Sequence, residues 1–171
     1  MFEDDLFTGD ECWLNEFCDR YAREVALPFF CYARADTLTD KIVAQLKDAG
    51  CVSVSLGVET VNQQAGERVL GRSLGPERIR HAAVMIKQRG LRLETTNIIG
   101  IPGVTLADDL ATMAFNRSIR ADYASVKMLM PYPGTPIRHW MEQKGFSLRL
   151  PLTGDRLAFM SRDTRYQRSV D

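Results

Sequence analysis

The chain has 171 residues, 45% of them hydrophobic and 26% charged, a length and composition suited to one folded domain with a substantial core. Neither a disordered nor a membrane-spanning chain reads this way, since no apolar run approaches the roughly 18 residues such a span needs. With 22 basic against 22 acidic side chains the net charge is zero, which supplies no bulk field to recruit nucleic acid.

The opening "MFEDDLFTGDE" is acidic and lacks an apolar signal core, so a cytoplasmic location is expected. From Asp10 to Ala26 the residues Leu14, Phe17, Cys18, Tyr21 and Val25 recur at helical spacing, with Asp10 as the cap. "LPFFCYAR" (Leu27–Arg34) reads as a buried strand. Thr39 caps a second helix whose face carries Ile42, Val43, Leu46 and Ala49, and Gly50 stops it. "CVSVSLGVET" begins with the period-two alternation Val52, Val54, Leu56 and is a second strand. "VNQQAGERVLGR" gives a short helix and a turn.

Pro76 opens a longer helix with Ile79, Ala82, Ala83 and Ile86 inward, ended by Gly90. "LRLETTNIIG" (Leu91–Gly100) is the third strand. Thr105 and Asp108 form a capping box ahead of a helix whose apolar stripe is Leu106, Leu110, Met113 and Ala114. "YASVKMLM" (Tyr123–Met130) is the fourth strand, and "PYPGTP" leads into a last helix holding Ile137, Trp140 and Met141. Alternating β and α units predict an α/β fold, a parallel sheet of about four strands covered by helices. Residues 1–146 form this unit. Residues 147–171, with five Arg and no Lys after Phe146, read as a loosely packed tail.

In parallel βα folds, ligands bind at the carboxyl ends of the strands. Here those exits carry Arg34 and Asp36, then Gly57, Glu59 and Thr60, then Asn97, Gly100, Pro102 and Gly103, and finally Tyr132, Pro133, Gly134 and Thr135. Singly, each admits a structural explanation as a turn, a cap or a surface pair. Glu59 is the strongest candidate, because a carboxylate at the end of a buried strand is costly to desolvate unless it binds something. Gly100 and Gly103 let backbone groups approach a flat ligand, and Ile98, Ile99 and Ile101 offer apolar walls. A carboxylate that accepts from a ribose diol completes an adenosine site. Neither G-x-x-x-x-G-K-[ST] nor G-x-G-x-x-G occurs, which favours an adenosine ligand without a phosphate cradle, such as S-adenosylmethionine.

From Asp4 to about Phe146, the pieces "DDLFT", "ARADTLTDKIVAQLKDAGC", "VSLGVET", "IIGIPGVT" and "PYPGTP" occur in family order. In this the chain resembles the radical SAM superfamily, and within it the cobalamin-binding-associated branch. The resemblance implies part of a (β/α)6 TIM-like partial barrel, strands three to six, from an enzyme that reductively cleaves S-adenosylmethionine on a [4Fe–4S] cluster. It places Asp4 and Asp5 at the methionine amino group, Arg34 at the methionine carboxylate, and Glu59 and Thr60 at the ribose, with Gly57 also at the cofactor. Ile98, Gly100, Ile101 and Gly103 fall at the adenine, and Tyr132 and Gly134 at the sixth strand's exit.

Two departures matter. Val104 stands where the family usually has an acidic or polar residue. No C-x-x-x-C-x-x-C occurs, and Cys12, Cys18, Cys31 and Cys51 show no metal-ligand spacing. The expectation is a fragment, inactive alone, that would need the missing N-terminal part of the barrel or would self-associate through an exposed edge strand. Cobalamin would belong to the parent protein. Two other readings remain: a non-catalytic adenosine-binding or assembly module, and an unrelated α/β enzyme using His81 or His139, both on predicted helices.

Overall fold

The structure, a computed structural model, describes residues 2, 4 and 6–146. Asp5 and the expected tail, 147–171, lie outside the described residues. Helices and strands alternate as α1 (Glu11–Glu24), β1 (Phe29–Ala33), α2 (Asp40–Asp48), β2 (Cys51–Glu59), α3 (Gln63–Leu70), α4 (Pro76–Gln88), β3 (Arg92–Ile99), α5 (Leu106–Ser118), β4 (Tyr123–Met128) and α6 (Pro136–Gln143). The caps are those the sequence indicates. Asp10 accepts from the Trp13 amide, Thr39 from that of Ile42 and Thr135 from that of Arg138, while Thr105 and Asp108 close a reciprocal capping box. No helix among the described residues is long and apolar enough to cross a membrane.

The four strands are parallel and lie in chain order, β1-β2-β3-β4, in an open sheet. Period two divides each strand between two faces. Cys31 and Ala33 on β1, Val54, Leu56 and Val58 on β2, and Leu93 on β3 are buried with Leu14, Val43, Leu46, Ile79 and Ile86 of the helices. Tyr32, Ser55, Gly57, Thr96, Ile98 and Lys127 line a cavity on the other face. Five rings (Phe2, Phe7, Phe17, Tyr21 and Phe29) pack together where α1 meets β1. There the Phe2 amide donates to the Phe30 carbonyl at 3.1 Å, so residue 2 lies along the open side of β1.

Several positions read as apolar faces are not core; Val25, at the end of α1, is 47% exposed. Val52 is 46% exposed because the β1–β2 register shifts between Phe29 and Phe30, leaving Val52 as the extra residue of a bulge. The larger correction is α5. Leu106, Leu110 and Met113, read as its apolar stripe, are about half exposed, and Ala114 is exposed too. The buried side consists of Asp109, Thr112, Phe115 and Asn116.

The cause lies under the helix, where β3 presents Thr95 and Asn97, both buried. Their polar groups need partners, and a leucine face would have left the Thr95 hydroxyl proton and the Asn97 side-chain oxygen without one. Thr95 Oγ1 donates to Asn116 Oδ1 at 2.6 Å, and Asn116 Nδ2 donates to Asn97 Oδ1 at 2.7 Å and to the Thr112 carbonyl at 2.8 Å. Asn97 Nδ2 donates to Thr95 Oγ1 and to the Ser125 carbonyl, which ties β4 into the network.

Asn116→Ala strands the Asn97 carbonyl and the Thr95 hydroxyl, so a loss of about 1–3 kcal/mol is expected. Leu56→Ala, at a fully buried apolar position, is expected to cost about 2–5 kcal/mol. Urea midpoints at constant m check both, and an Asn116→Ala protein as stable as wild type would show the network to be dispensable.

Candidate functional site

At the carboxyl ends of the strands the inner sheet face opens into a cavity of about 1180 Å³. Glu59 forms part of its wall. It is the last residue of β2, its backbone is left-handed at φ +61°, and the β2–β3 register shifts between Gly57 and Glu59. A left-handed non-glycine residue costs about 1–3 kcal/mol, and a bulge at a strand tip re-aims the side chain that follows. The Glu59 side chain retains only 11% exposure, with Arg72 Nη1 at 3.4 Å and the Thr96 hydroxyl donating to Oε1 at 3.2 Å. Burial pushes its carboxyl above the ordinary carboxylate value, while the Arg72 charge, the Thr96 hydrogen bond and the Lys127 charge act the other way.

Gly57 leaves room for two side-chain ends. A Cβ there would lie 3.0 Å from both Arg72 Nη1 and Glu59 Oε1. The turn beyond Glu59 is fastened from below: the Thr60 hydroxyl accepts from the Asn62 amide, the Val61 amide donates to Thr112 Oγ1, and Asn62 Nδ2 donates to Asp108. Buried Thr112 and half-buried Asp108 of α5 thereby also hold the tip of β2.

Of the residues singled out in the sequence, Arg34, Gly57, Glu59, Asn97, Ile98 and Tyr132 line the cavity. Arg34 is held by Asp36 through Nε–Oδ1 at 3.1 Å and Nη2–Oδ2 at 2.7 Å, so its two parallel donors already have a carboxylate. Thr60 is buried in the turn, and Ile101 is fully buried in a small cluster with Ala65 and Val104. Gly100, Gly103 and Gly134 have φ of +77°, +83° and +79° and shape turns, without lining the cavity. Asp4 is exposed and lies outside the cavity lining. His81 and His139 are exposed on helices.

Four lining residues that matter were missed: Ser55, Arg72, Thr96 and Lys127. Strand period could have found three of them. Ser55 shares a face with Gly57, Thr96 with Ile98, and Lys127 pairs with Ile98 in the β3–β4 register. Arg72 arrives from the loop between α3 and α4, and no local pattern marks it.

The residues present suit a nucleoside and do not suit an iron–sulfur cluster. A buried carboxylate, an adjacent glycine and an apolar wall at Ile98 face the cavity. Cys18, Cys31 and Cys51 are buried in the helix-side core and Cys12 is exposed on α1. Burial pushes the Cys18 thiol up to about 11, and a hydrogen bond with Cys51 together with burial pushes Cys31 up as well. Cluster ligation requires thiolates directed at one iron site.

Parallel strands whose carboxyl ends surround a cavity define an α/β fold of the barrel type. A sequence model described as "Radical SAM superfamily" matches residues 11–115, more than half of the chain, and the chain belongs to that superfamily. It is 29% identical over 135 residues to an uncharacterized methyltransferase of Pyrococcus horikoshii, covering 78% of this chain and 29% of that protein. The chain thus spans less than a third of that relative's length. Among solved structures, the radical S-adenosylmethionine methyltransferase TsrM from Kitasatospora setae, with cobalamin and [4Fe–4S] cluster bound, aligns with a TM-score of 0.64 at 19% identity. That alignment covers 77% of this chain and 25% of TsrM. Methylornithine synthase aligns with a TM-score of 0.63 at 17% identity over 77% of this chain and 38% of its own. These structures share the fold.

The raised Glu59 carboxyl gives a pH dependence of definite sign. The folded chain holds that proton more tightly than the unfolded chain, so this group favours folding below the ordinary value of 4.5. Its contribution is lost as pH rises through the higher folded value. Glu59→Gln is expected to remove this slope and to leave stability at neutral pH unchanged or higher. Urea midpoints across pH 4–8 that run parallel for the two proteins would contradict it.

Proposed function

We propose that this chain is the nucleoside-binding part of a radical SAM core. Glu59 accepts hydrogen bonds from the ribose of S-adenosylmethionine, and Ile98 with the β3 exit forms the wall against adenine. Arg34 remains the candidate for the methionine carboxylate, and Tyr132 closes the far side. The single observation that carries this reading is Glu59: a carboxylate placed on strained backbone, desolvated, and turned toward an open cavity. Arg72 and Thr96 offset only part of the cost of that arrangement.

When bound, S-adenosylmethionine supplies the sulfonium whose reductive cleavage starts radical chemistry in this superfamily. The [4Fe–4S] cluster that delivers the electron is assigned to ligands outside this sequence, because the four cysteines here do not fit it. Methyl transfer is the reaction proposed for the whole protein, supported by the names of the Pyrococcus relative and of TsrM, with cobalamin as a further cofactor there. No residue of this chain is assigned to cobalamin. The remaining strands of the barrel would add at β1, where residue 2 already makes one backbone bond.

Titration calorimetry with S-adenosylhomocysteine tests the nucleoside site. Saturable binding is expected, and Glu59→Gln is expected to weaken it by about 1.5–3 kcal/mol, or roughly ten- to a hundredfold. Equal affinity in the two proteins would overturn the assignment. Anaerobic incubation of this chain alone with iron and sulfide is expected to leave S-adenosylmethionine intact, and 5′-deoxyadenosine in the products would contradict the division of labour proposed here.

A further inference from the structure

The turn that carries Glu59 is strained, and α5 fastens it. The Thr60 amide donates to the Val58 carbonyl at 2.8 Å, closing a three-residue turn centred on Glu59 with φ at +61°. With positive φ at its centre such a turn is rare and costly, so its shape depends on what holds the residues that follow. Two bonds tie those residues to α5. Asn62 Nδ2 donates to Asp108 Oδ1 at 3.0 Å, and the Val61 amide donates to Thr112 Oγ1 at 3.2 Å.

Asn62 and Asp108 have separate reasons to be there. Asn62 Oδ1 caps α3 by accepting from the Ala65 amide, and Asp108 closes the capping box of α5. Thr112 has no such role. It lies in the helix interior, 5% exposed, where threonine is a weak helix former. Its hydroxyl donates to the Asp108 carbonyl one turn back at 3.1 Å, a bond that does nothing to strengthen a helix. That orientation leaves an Oγ1 lone pair for the Val61 amide, two residues beyond Glu59. Valine has nearly the same shape but would leave this amide without its acceptor. The turn, rather than the helix, accounts for the hydroxyl.

We propose that Thr112 is a positioning residue for Glu59. By holding the Val61 amide, its hydroxyl fixes the turn that aims the carboxylate into the cavity. It thereby sets the affinity for a ligand that it never touches. The affinity rests on the nucleoside reading of the site; the aim of Glu59 does not.

Glu59 is faced by the Arg72 guanidinium, the Thr96 hydroxyl and the more distant Lys127 ammonium, and burial holds its carboxyl above the ordinary value. Released from this position it would meet more water and titrate closer to that ordinary value. Thr112→Val removes the acceptor, and Thr112→Ser keeps it. The Glu59 carboxyl carbon, assigned by its loss in Glu59→Gln, is followed by NMR across pH in the full chain. Its midpoint is expected to fall in Thr112→Val and to stay at the wild-type value in Thr112→Ser. By calorimetry, Thr112→Val is expected to bind S-adenosylhomocysteine about fivefold more weakly or worse, and Thr112→Ser within about twofold of wild type. Thr112→Ala removes the same hydroxyl and supplies both readings if the valine variant does not fold.

Asn116→Ala is the control, because Asn116 bonds to β3 and to the Thr112 carbonyl but not to the β2 tip. It is expected to lower the urea midpoint and to leave the Glu59 titration as in wild type. A Thr112→Val protein that loses stability while Glu59 titrates as in wild type makes Thr112 merely structural and overturns the proposal. So does unchanged S-adenosylhomocysteine affinity in that variant, or an Asn116→Ala protein in which the Glu59 midpoint moves as far. If wild type binds no S-adenosylhomocysteine, the nucleoside reading fails, and the Glu59 titration alone decides for or against Thr112.

Discussion

The charge balance at Glu59 organises this end of the molecule. Desolvation alone would drive the carboxyl to its neutral form, and the left-handed backbone adds its own cost of about 1–3 kcal/mol. Against these act one guanidinium, one hydroxyl and a more distant ammonium. Each neighbour is constrained in turn. A Cβ at position 57 would crowd the ends of Arg72 and Glu59, Thr96 must stand on the inner face of β3, and the α3–α4 loop must return to the sheet to deliver Arg72. A small group of residues from three parts of the chain is thus coupled through one buried charge.

Much of the architecture was legible because it is written in local chemistry. Helix starts were marked by Asp10, Thr39, Thr105 and Thr135, whose side chains satisfy amides that any helix leaves open. A parallel sheet covered by helices followed from the alternation of strands with helices. The error on α5 has a plain physical origin: hydrophobic periodicity assumes that the covered face is apolar. On α5 it is polar, since Thr95 and Asn97 beneath it require donors and acceptors, and Leu106, Leu110 and Met113 are turned aside. The site divides similarly. Glu59 and Gly57 announce themselves at a strand tip, whereas Arg72 matters only because tertiary folding brings a loop to them.

The β3 exit shows how one short segment serves two environments. Gly100 and Gly103 take left-handed turns, while Ile101 and Val104 go down into a cluster with Ala65 that Val69, Leu70 and Ile98 surround. Val104 is 1% exposed. The apolar residue that breaks the family pattern at this position is a packing residue here, joining the β3 loop to α3. Ile98, touching both this cluster and the cavity, connects the packing of the loop to the wall against which a flat ligand would rest.

The sheet also separates its sulfur from its open side. Cys18, Cys31 and Cys51 lie in the helix-side core, while Cys12 is on the surface. A thiol-blocking reagent should therefore meet one sulfur immediately and the other three only when the helices part from the sheet. The spacing in time between the first modification and the rest makes the chain its own stopwatch for core opening, with no dye or engineered label required.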